Sequence, residues 1–590
     1  MEGDRLIPDW NISDPSSMLL NHLGQDSWEL QNVCQATLLN TPHTRLEEHH
    51  AHILMQAFDE DKFWQIARFT ILEKGFLMVS LMKGPGKPAT PLLIIISLPI
   101  FWCMLMLFTM SGNKTAPTPP GPGGLPIVGF LPFLRADTHI QFTELARQYG
   151  PIYKLWLGTK LCFVISSPSL IKEILRDHDT MFANHDSTVA ARIVSSNGND
   201  IIFCPYNSSW RTRRKLFVGN FQSNSSLDST SNLRKDEIRK AIRNIYTKIN
   251  TPFKIWELAS SIILSAAMSM VWGNTIQGEE KDKIGAALSP LVARAGDLLR
   301  KPNMSDYLPV LARFDIQGVK KEFSNIMQRI DEIFEDIINE RTKDGGGNKN
   351  GGRLDFLRTL MELSKKQDFK TEIGKTQIKG LITNIILGGT DTSATTIKWA
   401  MDEFLHNPEV MERAYKELNE VVGLNNVVEE FHIPKLVYLD AIIKETLRVH
   451  PIGPLLLRIS SQSCTVGGYS IPKDSTVIVN IWSTQRDPLA WDNPSEFMPE
   501  RFLGNSEKWN FSGNNFTYIP FGSGRRICAV IPLADRMLRY VLASLLHSFD
   551  WKLPKGEIVD RQDIFGIVTK RRTPLVAIPS PRLSDKNLYV

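Results

Sequence analysis

The chain has 590 residues, 42% hydrophobic and 22% charged, with 68 Lys and Arg against 63 Asp and Glu. That composition excludes a disordered, collagenous or coiled-coil chain as the main state, and a formal charge of +5 gives no reason to expect a nucleic-acid partner. The six cysteines (Cys34, Cys103, Cys162, Cys204, Cys464 and Cys528) lack paired spacing, which argues against a disulfide scaffold or zinc ribbon and for a reducing compartment. Length alone fits three or four domains, or one large enzyme domain with appendages.

Charge is unevenly placed. Residues 1–60 hold ten acidic side chains against two basic ones, which leaves about +13 on the remainder. Residues 1–77 are too acidic for a transit peptide, and their role is unexplained. His49, His50 and His52 invite a metal reading. With no Cys or further His at ligand spacing, a solvated helix end is the better account. The segment 78–114 contains Pro91 to Met110, twenty residues without a charge, preceded by Lys83 and Lys87 and followed by Lys114. As a helix it spans about 30 Å, the thickness of a bilayer core. The run is too long for a secretory signal and no small-residue cleavage site follows, so a membrane anchor is expected in preference to a buried core helix. Residues 115–126, ending in the Pro/Gly-rich GPGGLP, read as a stiff hinge.

Beyond the hinge, helical periodicity alternates with short strands, and there is no internal repeat. Tyr153–Leu157 and Leu161–Ile165 predict a hairpin turning at Gly158-Thr159. Val319–Lys343 predicts a long amphipathic helix ended by DGGGNKNGG at 344–352. That glycine run lacks the Gly-Lys-Ser/Thr ending of a phosphate loop and reads as a surface linker. Ile378–Phe404, Pro408–Val422 and Lys435–Arg448 predict helices, and Ser475–Asn480 a strand. The fold class is mixed and mainly α.

One cysteine carries chemistry. In Phe521-Gly-Ser-Gly-Arg-Arg-Ile-Cys528 a glycine-rich loop leads into Cys528, and a helix is expected from about Ala529 to Phe549. A cysteine at a helix N-terminus meets free N–H groups and a dipole that favour the thiolate. The glycines let the backbone approach a flat cofactor closely. Such a thiolate suits haem iron as an axial ligand, with Phe521 packed on the ligand side and Arg526 directed at a propionate. A buried structural cysteine is the bland alternative.

These residues resemble the haem-binding loop of the cytochrome P450 family, FxxGxRxC, through Phe521, Gly524, Arg526 and Cys528. The family's ExxR occurs at Glu445 and Arg448, and its PERF at Pro499 to Phe502. Alone, ExxR is a weak signal; in order ahead of PERF and the cysteine loop, the set is specific. The resemblance covers about 115–590, and details such as PPGPGGLPIVG at 119–129 are similar to the plant microsomal branch. It implies a P450 fold over 127–590, helix-rich with small sheets, behind an N-terminal transmembrane anchor. It implies a buried triad of Glu445, Arg448 and Arg501. In Gly388-Gly-Thr-Asp-Thr-Ser393 it implies an oxygen-activating helix, where Thr392 hydrogen-bonds dioxygen and a relay water and Asp391 helps deliver protons. Trp210 and Arg214, in WxxxR spacing, would cover the haem edge, with Arg458 as a third propionate partner.

The function implied is a haem b monooxygenase that oxidises a small apolar metabolite, terpenoid or phenylpropanoid-like, with O₂. NADPH-derived electrons would come through a separate NADPH-cytochrome P450 reductase, since the chain shows no flavin or nicotinamide motif. The substrate would be lined by Leu387–Thr392, the loop 183–201, Pro454–Leu457 and the turn Phe565–Val568. Localisation would be a single pass in the endoplasmic reticulum membrane with the catalytic domain in the cytosol. One position departs from the family. After the cysteine the pattern has Cys-x-Gly, whereas here Ala529 and Val530 follow. A branched side chain there predicts overpacking of about 1–3 kcal/mol against the haem. It leaves a non-catalytic or impaired haem- or ligand-binding protein as the alternative.

Overall fold

A computed structural model describes residues 116–590, apart from 187, 197, 274–275, 277, 344–354, 366–372, 505–506, 557–562, 565–569 and 572. The acidic segment, the anchor, the glycine-rich linker and the turn at 565–568 lie outside the described residues. Strands β1 (Ile152–Leu157) and β2 (Lys160–Ile165) form the expected hairpin, with Leu157 opposite Lys160. Gly158 is required twice at its turn. Its φ is +59°, and a Cβ there would lie 2.2 Å from the carbonyl oxygen of Tyr307. With β3 (Leu455–Ile459) and β4 (Thr476–Asn480) the hairpin makes a sheet of order β1-β2-β4-β3. β4 runs parallel to β2 and antiparallel to β3. Every residue of β4 is buried, which is why TVIVN reads as a continuous run with little alternation.

The helices that position the site are, in chain order, α1 (Ser208–Phe221), α2 (Ile255–Trp272), α3 (Gly278–Arg300) and α4 (Val319–Lys343). They continue with α5 (Lys375–Thr383), α6 (Gly389–His406), α7 (Pro408–Val421), α8 (Val437–Val449) and α9 (Ile531–Ser548). The single helix expected over 378–404 is α5 and α6 joined by a π-helical turn, Asn384–Gly388. α8 begins two residues later than its periodicity suggests, because Pro434 belongs to a preceding 3₁₀ turn, Glu430–Lys435. α9 begins at Ile531 rather than Ala529, since Ala529 and Val530 form a turn ahead of it.

α2 is the one described helix long and apolar enough to cross a membrane, and most of it is buried inside the protein. Its apolar residues face two ways. Ile262, Ile263 and Ala266 join one cluster with α6, α8 and α9. Leu264, Met268 and Val271 join a second with α1, α3, α4 and α5. A helix apolar all round belongs in a core between two layers.

α8 carries a fully buried acid–base set. Arg448 meets Glu445 through two parallel bonds, Nε to Oε2 at 2.6 Å and Nη2 to Oε1 at 2.8 Å. Arg501 Nε reaches Glu445 Oε1 at 3.3 Å, and the Met498 N–H donates to the same oxygen at 2.8 Å. The remaining Arg448 donors go to the carbonyls of Gln485, Pro494 and Glu496. Spacing of three along a helix puts Glu445 and Arg448 on one face. Removing one partner of a buried pair strands the other's charge and costs about 3–5 kcal/mol. Glu445→Ala is therefore expected to lower unfolding free energy by about that amount in urea denaturation, and Arg501→Ala by less, because Arg501 sits at the rim of the set.

Candidate functional site

The loop before α9 is held by its own backbone. The Cys528 N–H donates to the Phe521 carbonyl at 3.0 Å and the Gly522 N–H to Ile519 at 2.9 Å. Ser523 Oγ donates to the Gly513 carbonyl at 2.6 Å. Gly524 has φ +69°, and a Cβ there would lie 2.2 Å from the Leu175 carbonyl oxygen, so the loop presses on the backbone of another element at a residue that must be glycine. Below it, Tyr518 Oη donates to the Lys444 carbonyl of α8 at 3.0 Å. The loop therefore stands on the helix that carries the triad.

A cavity of about 380 Å³ opens above this loop, lined mainly by apolar side chains. Asp391, Thr392, Arg214, Arg458, Phe521, Arg526 and Cys528 all line it. Trp210 does not. It is buried one layer behind, its Nε1 donating to the Ile201 carbonyl at 3.0 Å, with Arg526 over its ring at 4.4 Å and Arg214 at 5.6 Å. WxxxR spacing puts Trp210 and Arg214 on one helix face, but the aromatic ring is the shelf and the arginines are the surface. Leu387, Gly388, His185 and Leu456 line the cavity from the segments expected to hold substrate. The α3 wall, with Val292, Gly296, Leu299 and Arg300, has no counterpart in the sequence reading, because nothing in its periodicity marks Arg300 as buried.

Cys528 lies three residues ahead of α9 rather than in its first turn. Burial pushes its thiol up, opposed by a hydrogen bond from the Val530 N–H and by the Arg214 charge. The expected stabilisation by free N–H groups is present but does not outweigh desolvation in the chain alone. A bound metal cation such as ferric iron would supply the missing charge, since a coordinating thiol is deprotonated by its metal.

The cavity's edge is unusually cationic. Arg526 donates to the carbonyls of Ala183 and Cys204, both at 2.6 Å. Arg214 donates to Ile527 at 2.5 Å. Arg458 donates to the Leu457 carbonyl and to Nδ1 of His185, both at 3.1 Å. Burial and the neighbouring Arg526 push Arg458 down to about 10, and burial followed by Arg458 and Arg526 pushes His185 well below its usual value. Burial lowers Arg214 and Arg526 as well. Among the described residues, none of the three arginines has a carboxylate within ion-pair distance; Asp179 is taken by Arg525. Desolvated like charges without counterions are unfavourable unless a ligand brings the anions. A ligand carrying two carboxylates, as haem b does, would match this donor set.

Thr392 Oγ1 donates to the Gly388 carbonyl at 2.7 Å, which places its hydroxyl against the π-helical turn. π-Turns recur where a helix is adapted to a site. A Cβ on Gly389 would meet nothing within 4 Å, whereas one on Gly388 would lie 3.3 Å from Ile202 Cδ1; Gly388 lines the large cavity with Thr392, and Gly389 faces a smaller apolar pocket.

The cytochrome P450 family profile matches residues 119–577. The chain belongs to the cytochrome P450 family. Flavonoid 3'-monooxygenase of Petunia hybrida is 36% identical over 479 residues, 79% of this chain and 93% of that protein. Flavonoid 3',5'-hydroxylase of Campanula medium is 34% identical over 487 residues, 80% and 93% of the two chains. A zebra fish cytochrome P450 solved with progesterone superposes with a TM-score of 0.63 at 24% identity, over 75% of this chain and 99% of that one; it shows the shared fold. This P450 is thus an oxidoreductase of the monooxygenase kind.

Val530 is seated with φ −114° and ψ 19°, a backbone any residue adopts. Its side chain lies between the large cavity and a small apolar pocket lined by Ala266, Ala267, Gly389 and Ala534, and packs on the second cluster. Small neighbours thus make room for it in the chain alone. Val530→Gly is expected to lower the melting temperature through lost packing and added backbone freedom. It is also expected to slow haem transfer to apomyoglobin, because the branched group no longer crowds the cofactor. Equal transfer rates would remove the overpacking account.

Proposed function

We propose that this P450 hydroxylates a small phenolic plant metabolite of the flavonoid type, with haem b held through Cys528 and with Arg214, Arg458 and Arg526 paired to the propionates. The single observation that carries the cofactor assignment is the set of buried and half-buried arginines with no carboxylate in ion-pair range among the described residues, beside a cavity-lining thiol. The substrate class rests on the curated relatives, whose names are those of flavonoid monooxygenases and hydroxylases, and on the apolar lining with a few polar groups. Bound haem supplies the oxygen activation, with thiolate donation favouring O–O cleavage. The balance is substrate, O₂, NADPH and one proton giving hydroxylated substrate, water and NADP⁺.

The protein's own work is positioning and proton handling. Apolar walls keep bulk water from the reacting carbon. Thr392 and Asp391, adjacent on α6, bring a hydroxyl and a carboxylate to the same cavity, a pairing suited to moving protons to oxygen as it is reduced. Electrons come from NADPH through a separate NADPH-cytochrome P450 reductase, for which the basic remainder of the chain is a fitting electrostatic partner. The chain is held at the endoplasmic reticulum membrane by the apolar run 91–110, with the catalytic domain in the cytosol.

Purified protein reduced under CO is expected to give the thiolate-type band, and Cys528→Ser to lose it while keeping its helical circular dichroism. Microsomes containing the protein and its reductase are expected to hydroxylate the flavanone naringenin; a normal CO band with no product across flavonoids would overturn the substrate class. Asn207, Asn224, Asn303, Asn510 and Asn515 each open an Asn-x-Ser/Thr glycosylation motif, and cytosolic placement predicts no glycan at any of them by mass spectrometry of the expressed protein. Asn303 and Asn207 are already engaged, capping Ser305 and Trp210.

A further inference from the structure

The two hydrophobic clusters meet imperfectly along α2. Between α2, the start of α6 and the start of α9 they leave a pocket of about 30 Å³ beside the large cavity. Ile263, Ala266 and Met537 on its wall belong to the first cluster; Ala267, Met270 and Ile385 belong to the second. The space exists because small residues meet there. Ala266, Ala267 and Ala534 stop at Cβ, and Gly389 lacks one that would meet nothing within 4 Å. Of the lining side chains only Ser393 is polar. Size and chemistry together select the occupant. A void needs roughly 10–15 Å³ to admit one water-sized particle, and an apolar one of about 150 Å³ admits benzene. This pocket lies nearer the lower figure, so it fits a single atom or a diatomic molecule. An ordered water needs about two to four hydrogen-bond partners, which one serine hydroxyl does not supply. An uncharged diatomic needs none.

The pocket's position matches that occupant. Ser393, Val530 and Ala534 line both this pocket and the large cavity. Val530 stands two residues past Cys528, and Ser393 follows Thr392 on α6. The pocket therefore adjoins the thiol-bearing turn and the hydroxyl-bearing helix at once. Val292 and Leu299 of α3 line the large cavity and not the pocket, so a molecule lying against α3 leaves the pocket clear. We propose that this pocket is a docking site for dioxygen, holding the gas beside the reacting centre while a bulky substrate occupies the large cavity, with Val530 as the partition between them. The dioxygen assignment rests on the monooxygenase reading above. The pocket's fitness for a small apolar gas does not.

Xenon, a single apolar atom, is the probe, since dry apolar cavities take it up. Crystals of the haem-loaded protein are pressurised with xenon and its anomalous scattering is located. A peak is expected between Ala267, Gly389 and Val530 in the wild type, a weaker one in Gly389→Ala and none in Ala267→Leu. Each variant is first qualified by its melting temperature and reduced-CO band. The ferrous CO complex is then photolysed in solution, where CO stands in for dioxygen as a diatomic. A slow phase of recombination within the same molecule is expected, and it should persist with naringenin bound. Xenon pressure is expected to remove that phase from the wild type, and Ala267→Leu to lack it without xenon. Absence of xenon from the wild-type pocket overturns the proposal, as would follow if the haem edge filled the space. So does bound xenon that leaves recombination untouched, which would make the pocket a packing defect without traffic. Should Ala267→Leu not fold, xenon competition in the wild type decides alone. A xenon peak in a protein without the reduced-CO band overturns the monooxygenase reading and the dioxygen assignment with it, and that spectrum tells this outcome from the others.

Discussion

The carboxylate of Glu445 is the point on which the cysteine side of the molecule depends. A charge buried this completely is tolerable only when each lone pair is met, and here two guanidiniums and a backbone N–H meet it. Arg448 then spends its remaining donors on carbonyls of the irregular stretch 485–496. Irregular backbone has few ladder bonds of its own, so a side chain must supply them. α8 thus serves as a rigid post: the triad fastens the stretch that leads toward the cysteine loop, and Tyr518 ties the near end of that loop to the same helix.

What this post supports is deliberately unfavourable in the chain alone. Arginines with no carboxylate in ion-pair range among the described residues and a thiol raised by burial share one cavity edge. Elsewhere the sequence is locally consistent: apolar helices are buried, turns carry glycine, and most buried polar groups are bonded. Departures from that consistency concentrate at functional sites. Both the cationic edge and the thiol would be relieved by the same partner, the anion-bearing metal cofactor proposed above, which is a stronger argument than either would be alone.

Much of this was legible in order along the sequence. Glycine at 158, the long amphipathic run to Lys343 and the spacing Glu445/Arg448 each express a short-range rule of backbone or helix geometry. Phe521 to Cys528 could be read because its residue types only make sense together. The α3 wall was not legible, since Arg300 is held by a residue ninety-one positions away and no local pattern encodes that. The π-turn at Asn384–Gly388 was visible only as a glycine pair, because one extra residue in a helix leaves no periodic trace over so short a run. Trp210 was read as a surface of the cavity when it is the support beneath that surface; spacing gives a helix face but not depth. The start of α9 was misplaced for a related reason, as Ala529 and Val530 have unremarkable propensities and their turn is set by the tether between Cys528 and Phe521.

α2 has a mechanical consequence. Because it furnishes a wall to both hydrophobic clusters, neither can loosen without uncovering apolar surface of the other. Regions that share a wall in this way open together or not at all. Slow amide exchange should therefore extend through α2 and α6 as one cooperative block. Breathing large enough to admit a bulky molecule must then come from a wall that is not shared, and α3, which packs into the second cluster alone, is such a wall. The stiffness of one helix decides which other helix is free to act as the door.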